Sequence, residues 1–143
     1  MNVAAILKTK GRSVATATRS ATVQEVANLL AAKRIGAIVI VDGDGPVAGI
    51  VSERDVVKAI AAHGARCLCE PVTSIMTHEV ITCAPGESLD EVMATMTSGR
   101  FRHVPVVEGG QLVGIVSIGD AVKFHIAEVE QEATALKSYV LAG

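Results

Sequence analysis

The chain has 143 residues, 50% of them hydrophobic and 20% charged, with a formal net charge of −2, 2% aromatics and no Trp. This describes one globular domain with an aliphatic core. A near-neutral balance with no basic stripe and few rings for base stacking argues against nucleic acid and against an anionic membrane surface. No apolar run nears the roughly 20 residues of a membrane span, and Met1-Asn2-Val3 opens no signal-peptide pattern, so a cytoplasmic location is expected.

In chain order, Asn2 to Lys10 carries Val3, Ile6 and Leu7 on one helical face and stops before Gly11, which predicts a short first helix. Val14-Ala15-Thr16 is a brief extended piece. Thr22-x-x-Glu25 is a capping box opening a helix whose Val23, Val26, Ala27 and Leu30 form its inner face, with an end near Gly36. Ala37–Val41 and Val47–Ser52 are β-branched runs across a Gly/Asp loop, hence a buried hairpin. Glu53 to Ala62 reads as a helix facing inward through Val56, Val57, Ile60 and Ala61.

His63 to Pro71 breaks the pattern and separates this unit from a second copy of it. Val80-Ile81-Thr82 is the expected short strand, and Ser88-x-x-Glu91 opens a helix with Leu89, Val92, Met93 and Met96 inside. His103–Val107 and Leu112–Ser117 make the second hairpin. Pro105 cannot donate a ladder bond and marks a sheet edge or bulge. A shift of 66 residues lays Thr22 to Val26 over Ser88 to Val92 and Ile38 to Val41 over Val104 to Val107, and one of 65 lays Gly49 over Gly114. The missing residue falls in the hairpin loop, where a deletion is tolerated. Units this small bury too little surface to stand alone, so two repeats should pack as one module spanning 1–143. The expected bounds are 11–63 for repeat one, 64–74 for the linker, 75–126 for repeat two and 127–143 for a helical extension. From Ile118 onward Val122, Ile126, Val129, Ala133, Leu136 and Val140 recur at alternating spacings of 4 and 3, a heptad-like seam that needs a partner and predicts a homodimer.

The chemistry-bearing feature is duplicated too: Ser52-x-x-Asp55 and Ser117-x-x-Asp120, each just past an apolar strand. Such a pair can be a helix cap. It can also serve a ribonucleotide, because a helix N-terminus favours an anion, a hydroxyl donates to phosphate, and a carboxylate accepts from both hydroxyls of a ribose. No nucleophile and base pair, metal ligand set or catalytic cluster accompanies it, so an enzyme is not expected. Of the four histidines only His103 is assigned to a ligand; His63, His78 and His125 are expected at the surface. Cys67-Leu68-Cys69 matches no redox or zinc spacing, and with Cys83 makes three free thiols, those of 67 and 69 expected to be exposed and dispensable.

The order strand, helix, hairpin, helix, twice over, with Gly-Ile-Val-Ser-x-x-Asp at 49–55 and 114–120, Ile35-Gly36-Ala37 and Phe101 to Val107, resembles a tandem pair of cystathionine β-synthase (CBS) domains of the small stand-alone bacterial kind. The resemblance implies an α/β (α+β) fold of two pseudo-two-fold related β-α-β-β-α repeats packed through their sheets, with an N-terminal helix and a long C-terminal helix. It implies a regulatory module, with no enzymatic role, binding AMP, ADP, ATP, NAD(H) or, less readily, S-adenosylmethionine between the repeats, as a homodimer acting on an unknown regulated protein. Carried over by position, Asp55 and Asp120 would hold ribose hydroxyls, and Ser52 and Ser117 phosphates. Thr16, Ala17, Thr82, Cys83, Gly36, Ala37, Ile38, His103, Val104 and Pro105 would border adenine, and Arg54 and Arg102 would meet phosphate. Because Arg102, His103 and Gly119 are peculiar to repeat two, the Asp120 site is expected to bind an anion more tightly than the Asp55 site. The alternative is a structural dimerisation module whose Ser-x-x-Asp pairs are caps alone.

Overall fold

A computed structural model describes residues 1–142 as a mixed α/β fold built twice over. Helix α1 (Val3–Lys10) is capped by Asn2, whose side chain accepts from the Ala5 amide, and it buries Val3, Ile6 and Leu7. Strand β1 (Thr16–Ala17) leads to α2 (Val23–Lys33), capped by Thr22 and buried through Val23, Val26 and Leu30. It ends three residues before Gly36, because Arg34 turns left-handed at φ 53° and closes the helix itself. The antiparallel hairpin β2 (Ala37–Val41) and β3 (Val47–Ser52) completes a three-stranded sheet ordered β1-β2-β3. Helix α3 (Glu53–His63) follows directly.

Two short 3-10 turns over 65–69 and 72–74 lead to repeat two: α4 (Leu89–Gly99), then the β4 (His103–Glu108) and β5 (Gln111–Ser117) hairpin, then α5 (Ile118–Ala142). The pseudo-symmetry reaches fine detail. Arg100, 66 residues after Arg34, is left-handed at the end of α4 as Arg34 is at the end of α2, and both hairpins carry a register shift at equivalent places, Ile40/Val41 and Val106/Val107.

Three sequence expectations are corrected. Val80–Thr82 forms no strand; the pairing moves on to Cys83, which bridges Val106 in parallel. It lasts one residue, because Pro85 and a turn from Ala84 to Glu87 end it. Helix α3 buries Val56 and Ala59, whereas Val57 and Ile60 are 64% and 42% exposed. Cys67 is buried, folded inward by its 3-10 turn, and only Cys69 is the exposed linker thiol.

The repeats are tied by crossed lead-ins. The chain entering repeat one packs on repeat two: Val3 and Leu7 join the core of Val92, Met96, Val104, Val106 and Val116. The chain entering repeat two packs on repeat one: Val72 and Met76 join the core of Val23, Val26, Leu30, Ile38, Ile40 and Val51. Glycine makes both dockings possible, since a Cβ at Gly49 would lie 2.5 Å from Met76 Sδ and one at Gly114 2.6 Å from Leu7 Cδ2. Each repeat therefore completes the other's core.

Candidate functional site

Both Ser-x-x-Asp pairs are helix caps in the structure. The Ser52 amide donates to Asp55 Oδ2 at 2.8 Å, Ser52 Oγ lies 3.1 Å from the same oxygen, and the Asp55 amide donates back to Ser52 Oγ at 3.3 Å. Ser117 and Asp120 repeat this with 2.9, 2.8 and 3.1 Å. Capping uses one carboxylate oxygen of each aspartate, so Asp55 Oδ1 has no hydrogen-bond partner among the described residues. The cap and ligand readings are thus compatible on one side chain. The helix start is further fixed from the other strand of the hairpin: the Glu53 amide donates to Gly36 O at 3.0 Å, and Ile118 donates to Arg102 O at 2.8 Å.

Around Asp55 lies a cleft of about 550 Å³, a size suited to a nucleotide. Gly36, Ala37, Ser52, Arg54 and Asp55 come to it from repeat one and Arg102 and His103 from repeat two, so it is built between the repeats. Its apolar wall is Ile50, Val57, Val80, Ile81 and Phe101, and its charged groups are Arg54, Lys58, Arg100 and Arg102 against Glu53, Asp55 and Glu79. The cations outnumber the carboxylates, which suits an anionic ligand.

The remaining residues singled out from sequence are not brought to this cleft. Thr16 is exposed on β1 and Ala17 packs against the first core. Ile38 and Val104 are fully buried, one in each core, because their position in the strand alternation points them inward. Pro105 is buried beside them and Thr82 is exposed. Cys83 lies in the second core, where burial, with the nearby Glu87 charge, pushes its thiol up to about 12, so it stays protonated and inert. Ser117, Gly119 and Asp120 start α5. Arg102 and His103 lie beside the start of α5, where Arg102 O accepts from the Ile118 amide and His103 pairs with Ser117, and they also line the Asp55 cleft, because β4 begins at the contact between repeats: a Cβ on Gly36 would lie 3.0 Å from His103 Cε1. Sequence reasoning missed Thr77, Glu79, Val80, Ile81, Arg100 and Phe101. The repeat alignment held no signal for Thr77 and Glu79, which reach the cleft through the lead-in crossing, anchored by paired bonds between Thr77 and Ile50 of 2.8 and 3.1 Å.

His103 is held below its ordinary value, first by burial and then by the Lys10 charge, with Arg102 adding and Glu53 and Asp120 opposing. It faces the cleft as a neutral imidazole at pH 7. Asp120 differs from Asp55. Lys10 at the end of α1 donates to Asp120 Oδ2 at 2.5 Å and to Ile115 O at 2.6 Å. Burial would raise the Asp120 pKa, but the Lys10 hydrogen bond, the Ser117 amide and hydroxyl and the Lys10 charge outweigh it, and the carboxyl sits below its usual range.

The CBS-domain family model matches residues 6–62 and again 72–126. The chain belongs to the CBS-domain family. It is similar to a CBS-domain-containing protein from Agrobacterium tumefaciens, 47% identical with a TM-score of 0.85 over 87% of this chain and 99% of that one. It is also similar to the CBS domain pair of protein MJ0100 in complex with 5′-methylthioadenosine and S-adenosyl-L-methionine, 30% identical with a TM-score of 0.78 over 87% of this chain and 99% of that one. A CBS domain protein from Pyrobaculum aerophilum complexed with AMP is 31% identical, with a TM-score of 0.75 over 84% of this chain and 89% of that one. Two of these relatives thus hold adenosine compounds. No helix among the described residues is long and apolar enough to cross a membrane.

Proposed function

We propose that this CBS pair is a regulatory module that binds a phosphate-bearing adenosine nucleotide, such as AMP, in the cleft around Asp55. The observation that carries this is the cleft itself: a nucleotide-sized space between the repeats, lined by Asp55, whose Oδ1 takes no part in the cap, and by more cations than carboxylates. In this reading Asp55 accepts the ribose hydroxyls. Ser52 and the start of α3 meet phosphate with Arg54 and Lys58, and the aliphatic wall with Phe101 covers adenine. The ligand-bound relatives support the adenosine part. The positive balance favours AMP, ADP, ATP or NAD(H) over S-adenosylmethionine, which carries no phosphate. Energy or redox sensing follows if binding changes how the repeats sit together, an effect limited by the ligand's differential affinity for the two arrangements.

The protein acts as a homodimer in the cytoplasm, without a catalytic step, by presenting altered contacts to a regulated partner. Exposed Val57, Ile60, Val122, Ile126 and Val129, each 42–64% accessible, supply the surface for a second copy. Calorimetric titration with AMP, ATP, NADH and S-adenosylmethionine tests the ligand. Saturable AMP binding, much weakened for 2′-deoxy-AMP, is expected. The absence of binding by all four, together with no excess absorbance at 260 nm from co-purified nucleotide, would leave the structural dimerisation reading in its place.

A further inference from the structure

The seam between the repeats is filled unequally. Gly36 and Arg102 correspond at the shift of 66 residues, as do Ala37 and His103, so the contact of Gly36 with His103 lies at the pseudo-two-fold axis. Repeat one brings two small residues to it and repeat two brings two large ones. The His103 ring uses that room: a Cβ at Gly36 would stand 3.0 Å from its Cε1 and 3.1 Å from its Nε2, so the outer edge of the ring rests over Gly36. Gly36 O accepts from the Glu53 amide at 3.0 Å, which puts that edge beside the first turn of α3, the helix start that meets phosphate in the reading above. His103 is part-buried and lines the cleft, and no hydrogen bond among the described residues takes either ring nitrogen. The charged groups facing it are Glu53 from α3, whose Oε1 lies 3.7 Å from the same Cβ position, Lys10 at the end of α1, Asp120 at the start of α5 and its chain neighbour Arg102. Two cations stand against two carboxylates, burial decides, and the ring is neutral at pH 7.

We propose that His103 makes nucleotide binding proton-linked: as a phosphate settles at the start of α3, His103 takes up a proton from solvent and donates to it, so that affinity rises as pH falls. A phosphate carrying close to two negative charges favours the charged form of a ring beside it, and the imidazolium answers with a charge-assisted hydrogen bond while screening the phosphate from Glu53. The sign follows from linkage. The ring titrates below its ordinary 6.5 in the free protein and higher in the complex, so the added affinity is complete below the free value and is lost as pH rises through the bound one. The linkage rests on the adenosine reading above, and the test separates the two. AMP is titrated calorimetrically into the full chain at pH 6 and pH 8, as wild type and as His103→Gln, which keeps a hydrogen-bonding side chain and cannot ionise. Between pH 8 and pH 6 wild type should gain about fivefold more affinity than the variant, the effect of a ring pKa raised by about one unit across that range. The ionisation of AMP's own phosphate, near pH ~6, is common to both and drops out of the comparison. If His103→Gln does not fold or does not bind, proton NMR of wild type decides: of the four histidine rings, the one that titrates below 6.5 without ligand should titrate above it with saturating AMP. Equal pH dependence in wild type and variant, or a ring unmoved by AMP, would overturn the linkage and leave the adenosine reading standing. No AMP binding by wild type at either pH would overturn the adenosine reading, and the linkage with it.

Discussion

At the scale of single residues, Asp55 carries two functions that substitution can separate. Removing its carboxylate costs the ribose acceptor, worth roughly 1.5–3 kcal/mol for a charged hydrogen-bond partner, so Asp55→Ala should weaken AMP binding about tenfold to a hundredfold. It also removes the acceptor for the Ser52 amide, one half of the capping box on α3, at about 1 kcal/mol of stability, while Ser52 Oγ still accepts from the amide of residue 55. Asp55→Asn retains much of the cap. An equally large affinity loss in Asp55→Asn with little change in thermal midpoint would locate the effect in the ligand. The thiols divide differently: Cys69→Ser should change stability by no more than about 0.5 kcal/mol. Cys67→Ser, which puts a hydroxyl in a buried position, should cost about 1–3 kcal/mol, and urea denaturation of the two variants compares them directly. For His103 the sign follows from its depressed pKa. The unfolded chain takes up its proton near the ordinary 6.5 while the folded one resists, so stability is full above that pH and is lost as pH falls through the folded value. Asp120, also depressed, acts in the same direction only from about its ordinary 3.8 downward. Urea midpoints at pH 7.5 and 5 should therefore fall less in His103→Asn than in wild type.

At the scale of elements, α5 is the one whose length exceeds its support. It spans 25 residues, about 38 Å at helical rise, yet after Phe124 it buries nothing, and Val129, Leu136, Tyr139, Val140 and Leu141 are 50–84% exposed. The heptad-like spacing that predicts a seam is thus realised as one continuous helix with its apolar side open. Removal of residues 127–143 should reduce the solution mass from dimer toward monomer if that seam is the main contact. A dimer of undiminished strength by light scattering would place the interface on Val57, Ile60, Val122 and Ile126 instead, since these remain exposed on α3 and on the retained start of α5.

At the scale of the whole molecule, the crossed lead-ins make one cooperative unit of two repeats. Leu7 is 1% exposed in the core of repeat two, so Leu7→Ala should cost about 2–5 kcal/mol, although Leu7 precedes repeat one in the chain. A single unfolding transition that shifts as a whole in urea, followed by amide exchange in both sheets, is the expected result. Separate transitions for the two halves would show that the repeats fold independently.

The sequence by itself determined the doubled architecture and the caps. Hydrophobic periodicity, the Thr22 side-chain cap, the Ser88 capping box and the Ser-x-x-Asp pairs are local signals that depend on neighbours three or four residues away. It also determined seven of the residues that line the cleft, Gly36, Ala37, Ser52, Arg54, Asp55, Arg102 and His103. What only the tertiary structure decided lies between the repeats. Alignment treats the two copies as equivalent, yet each receives the other's lead-in, and those lead-ins differ: one presents the Thr77 backbone and the other the Lys10 ammonium. Chain order puts Arg102 and His103 beside the Asp120 cap, and packing at the Gly36 contact brings the same two residues to the Asp55 cleft as well. A charge's partner is set by through-space distance, and no spacing within a repeat encodes which segment from the far end of the chain comes to lie against it.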